Sequence, residues 1–366
     1  MGSGRPTTAQ WTVRSASGSY PVYFGRRAVR RLPAWIRTAY PRHRFVVLTD
    51  RLVARIHLPM LLRLLPRRPR PPLVIVVPSG ERTKTRAWKA RIEDRILAAG
   101  CARDTLLLVL GGGVIGDLGG FIAATYARGI PYVQIPTTLL AQTDSAVGGK
   151  TGVDTPVAKN MIGAFYPPAV VLIDPDLLRT LPADAVRHGL VEMIKHGCIA
   201  DAALARAIGR AAPDLQPRAR RFLTVLTPLL RRSLAIKLRA VTQDEFDRDG
   251  RRVCLNFGHT AGHAIEQASR YRIPHGDAVA IGMCLAAGWG ERLGHTPPAA
   301  ARAVRATLAA IGAPTAPPRG LARATLRRAL RLDKKRMDGR QRLVVLRRLG
   351  RPAIIEVGNE DLEQLF

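Results

Sequence analysis

Short runs of β-branched or leucine residues alternate with helix-like segments through the first half of the chain. Each run is too short for a helix and ends at Gly, Pro, Asp or Thr, which is typical of a buried strand. The predicted strands are residues 44–50, 72–78, 105–113, 132–138 and 169–175. This alternation predicts an α/β domain with a largely parallel sheet.

The pattern changes near "LRTLPADAVRHG", where long amphipathic segments replace the short apolar runs. Strand character returns only at "QRLVVLRR" (341–348). We therefore predict two domains, an N-terminal α/β domain over residues 1–180 and a mainly α-helical domain over residues 181–366. The Pro-rich segment "LLPRRPRPP" (64–72) is interpreted as a connector inside the first domain.

The segment "LLLVLGGGVIGDLGGFIAA" has the pattern of a strand, a glycine turn and a helix start. Gly112 and Gly113 would let the backbone approach a phosphate, and a helix N-terminus offers free N–H groups. A glycine turn alone is more often only a turn. However, "PSGERTK" places Glu81 and Lys84 after the preceding strand, and Asp50 closes the strand before that. Because carboxylates at strand ends contact ribose in dinucleotide sites, we predict a Rossmann-like NAD-binding domain.

A long glycine-punctuated stretch, "QTDSAVGGKTGVDTPVAKNMIGAFY", carries Asp144, Lys150, Lys159 and Asn160. Stretches of this length without clear periodicity are usually functional or mobile. The two lysines would also fit a solvated surface. Since small and apolar residues surround them, we predict polar groups that face inward toward an anionic substrate.

Three histidines lie close together in the second half of the chain. "CLNFGHTAGHAIEQ" places His259 and His263 four residues apart, on one face of a predicted helix, and His275 follows in "IPHGDAVAIG". Such a pair binds zinc when a third ligand comes from elsewhere. Glu192, one turn from Lys195 in "GLVEMIKHG", would add a carboxylate. A glutamate and two histidines leave an open position for catalysis, but the spacing leaves open which two histidines are ligands.

The chain is strongly basic, with a formal net charge of +31. Such a charge would fit an anionic partner, but the arginines are spread without aromatic interleaving or a recognisable nucleic-acid module. We interpret them as a solvated surface and expect no nucleic-acid partner. Only eight of the 58 basic residues are lysine, and only Lys89 falls outside the segments singled out here. Lysine in an arginine-biased chain marks positions where a compact ammonium is needed.

Membrane and export signals are not evident in the sequence. No apolar run reaches the length of a bilayer span, and the start "MGSGRPTTAQWTV" has no apolar core like that of a secretory signal. The four cysteines form no CxxC pair, so we expect buried thiols in a reducing compartment. These observations predict a cytoplasmic protein without a membrane partner.

Several long segments resemble one enzyme family. They are "GGGVIGDLGGFIAATYARGIPYVQIPTTLLAQTDSAVGGKTGV", "KNMIGAFY", "LVEMIKHG", "LNFGHTAGHAIE" and "HGDAVAIGM". In order and spacing they resemble the 3-dehydroquinate synthases of the sugar-phosphate cyclase superfamily. The resemblance implies an NAD- and metal-dependent lyase of the shikimate pathway, which serves aromatic amino acid biosynthesis. Its reaction converts 3-deoxy-D-arabino-heptulosonate 7-phosphate into 3-dehydroquinate and phosphate.

The resemblance also implies roles for individual residues. The metal ligands, for Zn²⁺ or Co²⁺, would be Glu192, His259 and His275, and His263 would contact substrate or transfer a proton. The implied NAD contacts are Asp50, Glu81, Lys84, Gly112, Gly113, Asp117, Thr137, Thr138 and Lys159. The implied substrate contacts are Asp144, Lys150, Asn160, Lys195, Lys237, Arg252, Asn256 and one of Lys334 and Lys335. Arg128 resembles a residue that such enzymes donate across a dimer interface, so a homodimer is expected.

The chain departs from the usual family residues at Leu52, Asp154 and Ala158, and three other functions compete with the leading one. A sister cyclase of secondary metabolism, such as an aminodehydroquinate synthase, would share nearly all of these segments. A metal-dependent alcohol dehydrogenase would share the glycine turn and the metal histidines but would not need the lysines. A basic binding protein would not explain the glutamate and the two histidines.

Overall fold

The computed structural model describes residues 9–15, 17–66, 70–156, 159–246, 252–321, 323–331, 336–337 and 340–358. The chain divides into two compact units, Met1–Leu181 and Pro182–Phe366. Within the described residues, no helix combines the length and the apolar character that a bilayer crossing requires.

A seven-stranded sheet forms the centre of the first unit within its described residues. From one edge to the other, its strands are β1 (Ala9–Ser15), β2 (Gly18–Phe24), β9 (Val170–Ile173), β6 (Tyr132–Pro136), β5 (Thr105–Gly111), β3 (Arg44–Asp50) and β4 (Leu73–Val77). The β1 strand pairs antiparallel with β2, and every other neighbouring pair in this sheet is parallel. The five strands predicted from the sequence are all present, and the predicted α/β fold class is confirmed.

The central strands are buried on both faces, which explains their continuous apolar runs. Along β5, Leu107 and Val109 pack into one core, whereas Leu106 and Leu108 pack into the other. The first core is covered by α3 (Arg86–Ala98) and α4 (Gly113–Thr125). The second core is covered by α1 (Leu32–Ala39) and α2 (Arg51–Leu64).

Helix α4 lies unusually close to its neighbours because glycines replace larger side chains on its inner face. A Cβ atom on Gly119 would lie 2.6 Å from Val109 Cγ2, and one on Gly120 would lie 2.4 Å from Thr151 Cγ2. Separations below 3 Å do not occur in real packing. These two glycines therefore serve the packing of α4. The close approach of the backbone to a phosphate, which the sequence predicts for this motif, would be made at Gly112 and Gly113.

The second unit is mainly helical, as predicted. Its helices are α5 (Ala183–Ala200), α6 (Ala202–Arg210), α7 (Phe222–Gln243), α8 (His259–Ala268), α9 (His275–Arg292), α10 (Pro298–Ala310) and α11 (Arg323–Arg331). Helix α5 packs against α6, α7 and α9, and α8 packs against α9. A Cβ atom on Gly282 of α9 would lie 2.0 Å from the carbonyl oxygen of Gly258, so the backbones at this crossing are in direct contact.

Several strands were not predicted. The sequence indicated no strand before residue 44, yet β1 and β2 form a hairpin there. The glycine-punctuated stretch contains a second hairpin, β7 (Lys150–Val153) and β8 (Ile162–Phe165). In the second unit the predicted strand near residue 341 is present as β11 (Arg340–Arg348), between β10 (Arg336–Met337) and β12 (Arg351–Val357).

Candidate functional site

Three helices of the second unit bring one glutamate and two histidines together. Glu192 lies on α5, His259 begins α8 and His275 begins α9. The Nε2 atoms of His259 and His275 lie 3.6 Å and 3.7 Å from Oε1 of Glu192. Two ligands of a tetrahedral zinc ion, each about 2.0 Å from it, lie about 3.3 Å apart. The three side chains therefore have the chemistry and the spacing of a divalent-metal site with an open position.

Burial and neighbouring charges together set the protonation of this cluster. The Glu192 side chain is 0% exposed, and the ammonium of Lys195, one turn along α5, forms an ion pair with its Oε2 atom. Burial lowers the pKa of His259 well below its usual value, and the charge of Lys195 lowers it further. Because metal binding requires an unprotonated imidazole nitrogen, the low pKa of His259 favours its role as a ligand.

A second set of possible ligands overlaps the first. Ligand atoms of His263, Glu266 and His275 also lie within 4.8 Å of one another. His259 and His263 share a face of α8, as the spacing predicts, with ring centroids 5.5 Å apart. The sets differ in burial, because His263 is exposed whereas Glu192 and His259 are buried. Glu266 is a residue that the sequence reasoning missed, although its position three residues after His263 places it on the same helix face.

An ion-pair cluster joins α5 to the first turn of α9. Nη2 of Arg187 lies 3.3 Å from Oδ1 of Asp277, and Nε2 of His188 lies 3.4 Å from the same oxygen. Burial would raise the pKa of Asp277, but His188 and Arg187 outweigh burial and lower it. Asp277 thus fixes the start of α9, where His275 lies, against the helix that carries Glu192.

Two cationic side chains of this unit that are predicted to contact substrate are buried. Lys237 on α7 is 6% exposed and Arg252 is 3% exposed. Arg252 and Asn256 lie on the 3-10 turn Arg252–Asn256, which contacts both α5 and α7. Nη1 of Arg252 donates to the carbonyl oxygen of Glu245 at 2.6 Å. Lys334 and Lys335, one of which is predicted to contact substrate, lie outside the described residues.

The first unit places the predicted nucleotide residues around the start of α4. Gly112 precedes the helix, and a Cβ atom there would lie 3.0 Å from Thr138 Cγ2. A Cβ atom on Gly113 would lie 3.2 Å from Ser145 Oγ. The hydroxyl oxygens of Ser145 and Thr137 are buried and have no hydrogen-bond partner among the described residues. Glycines that leave the backbone accessible, a helix N-terminus and available hydroxyl groups together fit the binding of a pyrophosphate. The sequence did not indicate Ser145 as part of this site.

Asp50 has a structural role that the sequence did not predict. Its Oδ1 atom accepts hydrogen bonds from the N–H groups of Leu52 at 2.9 Å and Val53 at 3.2 Å, and thereby caps α2. The Ser79 hydroxyl donates to the same oxygen at 2.6 Å. Leu52, where the family often has asparagine, is 60% exposed. The carboxylate of Asp50 is therefore held in a fixed orientation at the end of β3.

Lys84 is the centre of a polar network beside α4. It is 4% exposed, and its Nζ atom lies 2.5 Å from Oδ2 of Asp117 and donates to Oδ1 of Asn160. Burial alone would lower the pKa of Lys84, but the charge and hydrogen bond of Asp117, together with the charges of Glu81 and Asp154, outweigh burial and raise it. Lys159 Nζ lies 3.5 Å from Oε1 of Glu81. Asn160, which is predicted to contact substrate, is therefore hydrogen-bonded to Lys84, which is predicted to contact NAD.

One departure from the usual family residues, Asp154, borders this network. Oδ1 of Asp154 accepts a hydrogen bond from the N–H group of Asn160 at 2.9 Å. Burial raises the pKa of Asp154, and the nearby Glu81 raises it further, although hydrogen bonding to Asn160 opposes them. Ala158 lies outside the described residues.

The prediction that the polar groups of the glycine-punctuated stretch face inward fails for Lys150, which is exposed at the start of a two-stranded hairpin. Asn160 is an exposed residue overall, but its Oδ1 atom is directed at the buried ammonium of Lys84. The Lys150 ammonium lies 5.9 Å from the ring centroid of Phe165. Asp144 is half-buried in a π-helical turn, Ala141–Ser145, a type of turn that is frequent at functional sites.

Arg128 is exposed on a strained turn. Ala127 and Arg128 have φ values of 50° and 68°, in the left-handed region that non-glycine residues avoid. The turn is held by the Tyr126 hydroxyl, which donates to the carbonyl oxygen of Cys101 at 2.6 Å. Strain of this kind costs about 1–3 kcal/mol per residue and concentrates at functional sites.

Comparison with known proteins agrees with these features. Family models described as 3-dehydroquinate synthase N-terminal and 3-dehydroquinate synthase C-terminal match residues 74–188 and 189–336. A 3-dehydroquinate synthase from Teredinibacter turnerae is 42% identical over 337 residues, which cover 92% of each chain. One from Acidithiobacillus ferrooxidans is 41% identical over 349 residues, which cover 92% of this chain and 91% of that one.

A solved structure supports the same assignment at the level of the fold. It is the 2-epi-5-epi-valiolone synthase from Streptomyces hygroscopicus, solved with NAD⁺ and Zn²⁺ bound. The two chains are 28% identical and align with a TM-score of 0.86 over 97% of this chain and 98% of that one. Taken with the family models and the relatives, this similarity shows that the chain belongs to the 3-dehydroquinate synthase family.

Proposed function

We propose that this chain uses NAD and a divalent metal to convert 3-deoxy-D-arabino-heptulosonate 7-phosphate into 3-dehydroquinate and phosphate. The family assignment supports the reaction. The observation that carries the proposal is the cluster of Glu192, His259 and His275, of which the first two are buried, because a basic binding protein has no need for such a ligand set. Zinc or cobalt fits two imidazoles and one carboxylate.

Each cofactor has a set of residues suited to hold it. Glu192, His259 and His275 would hold the metal, and the start of α4 at Gly112 and Gly113 would hold the NAD pyrophosphate. The similar valiolone synthase was solved with NAD⁺ and Zn²⁺ bound, which supports both assignments. When bound, the metal would polarise substrate hydroxyl groups, and NAD would take up a hydride and return it.

The remaining NAD assignments follow the carboxyl ends of the strands. We assign ribose and phosphate contacts to residues at or shortly after the ends of β3, β4 and β6, in agreement with the general position of ligands in parallel sheets, and to one residue on α4 and one in the loop between β7 and β8. They are Asp50, Glu81, Lys84, Asp117, Thr137, Thr138 and Lys159. The buried Thr137 hydroxyl, which has no partner among the described residues, is then available to a ligand.

The substrate contacts are assigned residue by residue. Lys195, Lys237 and Arg252 of the second unit bind the phosphate, because cations near a dianion favour its binding and its departure. Lys150 is assigned as a further phosphate contact from the family resemblance. Asp144, Asn160 and Asn256 orient hydroxyl groups by hydrogen bonds. The exposed imidazole of His263 holds or moves a proton of the substrate. Ring closure then depends mainly on holding the open chain in its closing conformation.

The direct test combines the enzyme with the heptulosonate phosphate, NAD and zinc, and follows phosphate release together with formation of the ring product. Since the hydride returns within one turnover, NAD should be needed only in catalytic amounts, and NADH absorbance should not build up. Continuous accumulation of NADH matched to product would support a dehydrogenase instead. Preference for an amino analogue of the substrate would support the aminodehydroquinate alternative.

We also propose that the enzyme works as a homodimer in which Arg128 enters the partner's site. The exposed position of Arg128 on a strained turn that is held from within the fold supports this role. Arg128→Ala and His275→Ala should each be nearly inactive alone. Co-expressed, they should regain about a quarter of wild-type activity, because half of the dimers are mixed and each mixed dimer has one complete site. An inactive mixture would show that Arg128 acts within its own chain.

A cytoplasmic location is proposed on the state of the thiols. All four cysteines are free, and three of them are buried. Free cysteines are typical of a reducing compartment.

A further inference from the structure

His275 contacts two carboxylates, one through each ring nitrogen. Its Nε2 atom lies 3.7 Å from Oε1 of Glu192, and its Nδ1 atom lies 3.2 Å from Oε2 of Glu266. Glu266 lies on α8 and is 4% exposed. The buried carboxylate therefore contacts the ring nitrogen that faces away from Glu192.

The other histidine of the cluster has the same arrangement. Nε2 of His259 faces Oε1 of Glu192 at 3.6 Å, and its Nδ1 atom lies 3.4 Å from the carbonyl oxygen of Phe257. In both rings an oxygen acceptor meets Nδ1 and the lone pair of Nε2 is left for a metal. A neutral imidazole has one N–H group and one lone pair, so an acceptor at Nδ1 fixes the tautomer.

His275 needs such support more than His259 does. The His275 side chain is 34% exposed, against 11% for His259, and it follows a loop in which Arg270 and Tyr271 have φ values of 53° and 58°. The Ser269 hydroxyl accepts a hydrogen bond from the N–H group of Ile273 at 3.3 Å within this loop. Since packing around His275 is incomplete, the orientation of its ring depends more on polar contacts, and Glu266 supplies the one at Nδ1.

We propose that Glu266 is a positioning residue, which orients His275 for the metal by accepting a hydrogen bond from Nδ1. This inference rests on the proposed ligand set of Glu192, His259 and His275. A carboxylate behind a ligating histidine also makes that histidine a stronger donor, and losing such a partner costs about 10- to 100-fold in metal affinity.

The test compares Glu266→Gln and Glu266→Ala with the wild-type enzyme. Zinc content per chain, zinc affinity by competition with a chelator, the visible spectrum of the Co²⁺ form and the thermal midpoint of the metal-free protein would be measured. Glu266→Gln keeps an acceptor but removes the charge, so we expect one metal per chain with affinity about tenfold weaker. Glu266→Ala removes the acceptor, so we expect a loss nearer to about a hundredfold and an altered Co²⁺ spectrum.

Asp174→Asn is the matched control, because Asp174 is also a buried carboxylate, at 4% exposure, but accepts its hydrogen bonds from backbone N–H groups in the first unit. This variant should lower the thermal midpoint without changing zinc affinity. If the Glu266 variants behave in the same way, Glu266 serves only the fold and the inference is overturned. If Glu266→Gln loses the metal completely while His259→Ala keeps it, Glu266 is itself a ligand, and the proposed ligand set fails as well.

Discussion

His259→Ala should lose its stoichiometric zinc and nearly all turnover, whereas His263→Ala should keep its zinc and turn over slowly. Both histidines lie on one face of α8, but only His259 directs a nitrogen at the fully buried Glu192. A carboxylate and one histidine rarely hold a catalytic zinc. The loss of affinity at His259 should therefore exceed the roughly 10- to 100-fold cost of losing an outer partner.

Metal analysis of the purified variants measures this directly. The two replacements are matched, since they remove the same side chain from positions four residues apart on one helix. His275→Ala should also lose zinc, but His275 belongs to both possible ligand sets and cannot distinguish them. Zinc retained in His259→Ala and lost in His263→Ala would assign the metal to His263, Glu266 and His275.

Lys195→Arg should lower turnover by about a hundredfold or more, although it preserves the charge, because misplacement by about 1 Å is enough for such a loss. Lys195 is 1% exposed, and its ammonium forms an ion pair with Glu192. We expect a longer, planar guanidinium to overpack this buried position, and overpacking costs about 1–3 kcal/mol. Steady-state rates and zinc content of the folded variant would be measured.

Lys89→Arg is the control for this experiment. Lys89 also forms an ion pair with a glutamate on its own helix, since its Nζ atom lies 2.6 Å from Oε1 of Glu93, and it lies 4.9 Å from the ring centroid of Phe121. Its side chain is only 15% exposed, so Lys89 is not the solvated surface residue without contacts that its sequence context suggests. We expect a normal rate for this variant. A normal rate for Lys195→Arg as well would show that charge alone suffices, and that scarce lysines do not mark functional positions.

The sequence predicted the fold wherever apolar residues were continuous. The five central strands are buried on both faces, so their residues are apolar without interruption and were recognised. The hairpin of β1 and β2 was missed because Gly18 and Pro21 interrupt its pattern. The strands β7 and β8 were missed because each has four residues and contains a glycine.

The residue types of the candidate site could be predicted from the sequence, but which histidines approach Glu192 could not. Spacing placed His259 and His263 on one helix face, yet only the packing of α5, α8 and α9 shows which nitrogens approach Glu192. Glu266 was missed because a glutamate in a helix is usually solvated, and its burial depends on contacts made by other helices. Lys150 was predicted to face inward because composition does not reveal that its segment forms a hairpin whose first residue is exposed while Val153 is buried.

The glycines of α4 bear on how inactive homologues of this enzyme would be recognised. Gly119 and Gly120 are required by the close seating of the helix, whatever chemistry the protein performs. A pseudoenzyme descended from the same ancestor would still need them, and would keep much of the segment on which the family resemblance rests. Genome surveys that select active members should therefore require Glu192, His259 and His275 together with Lys195, rather than the glycine signature.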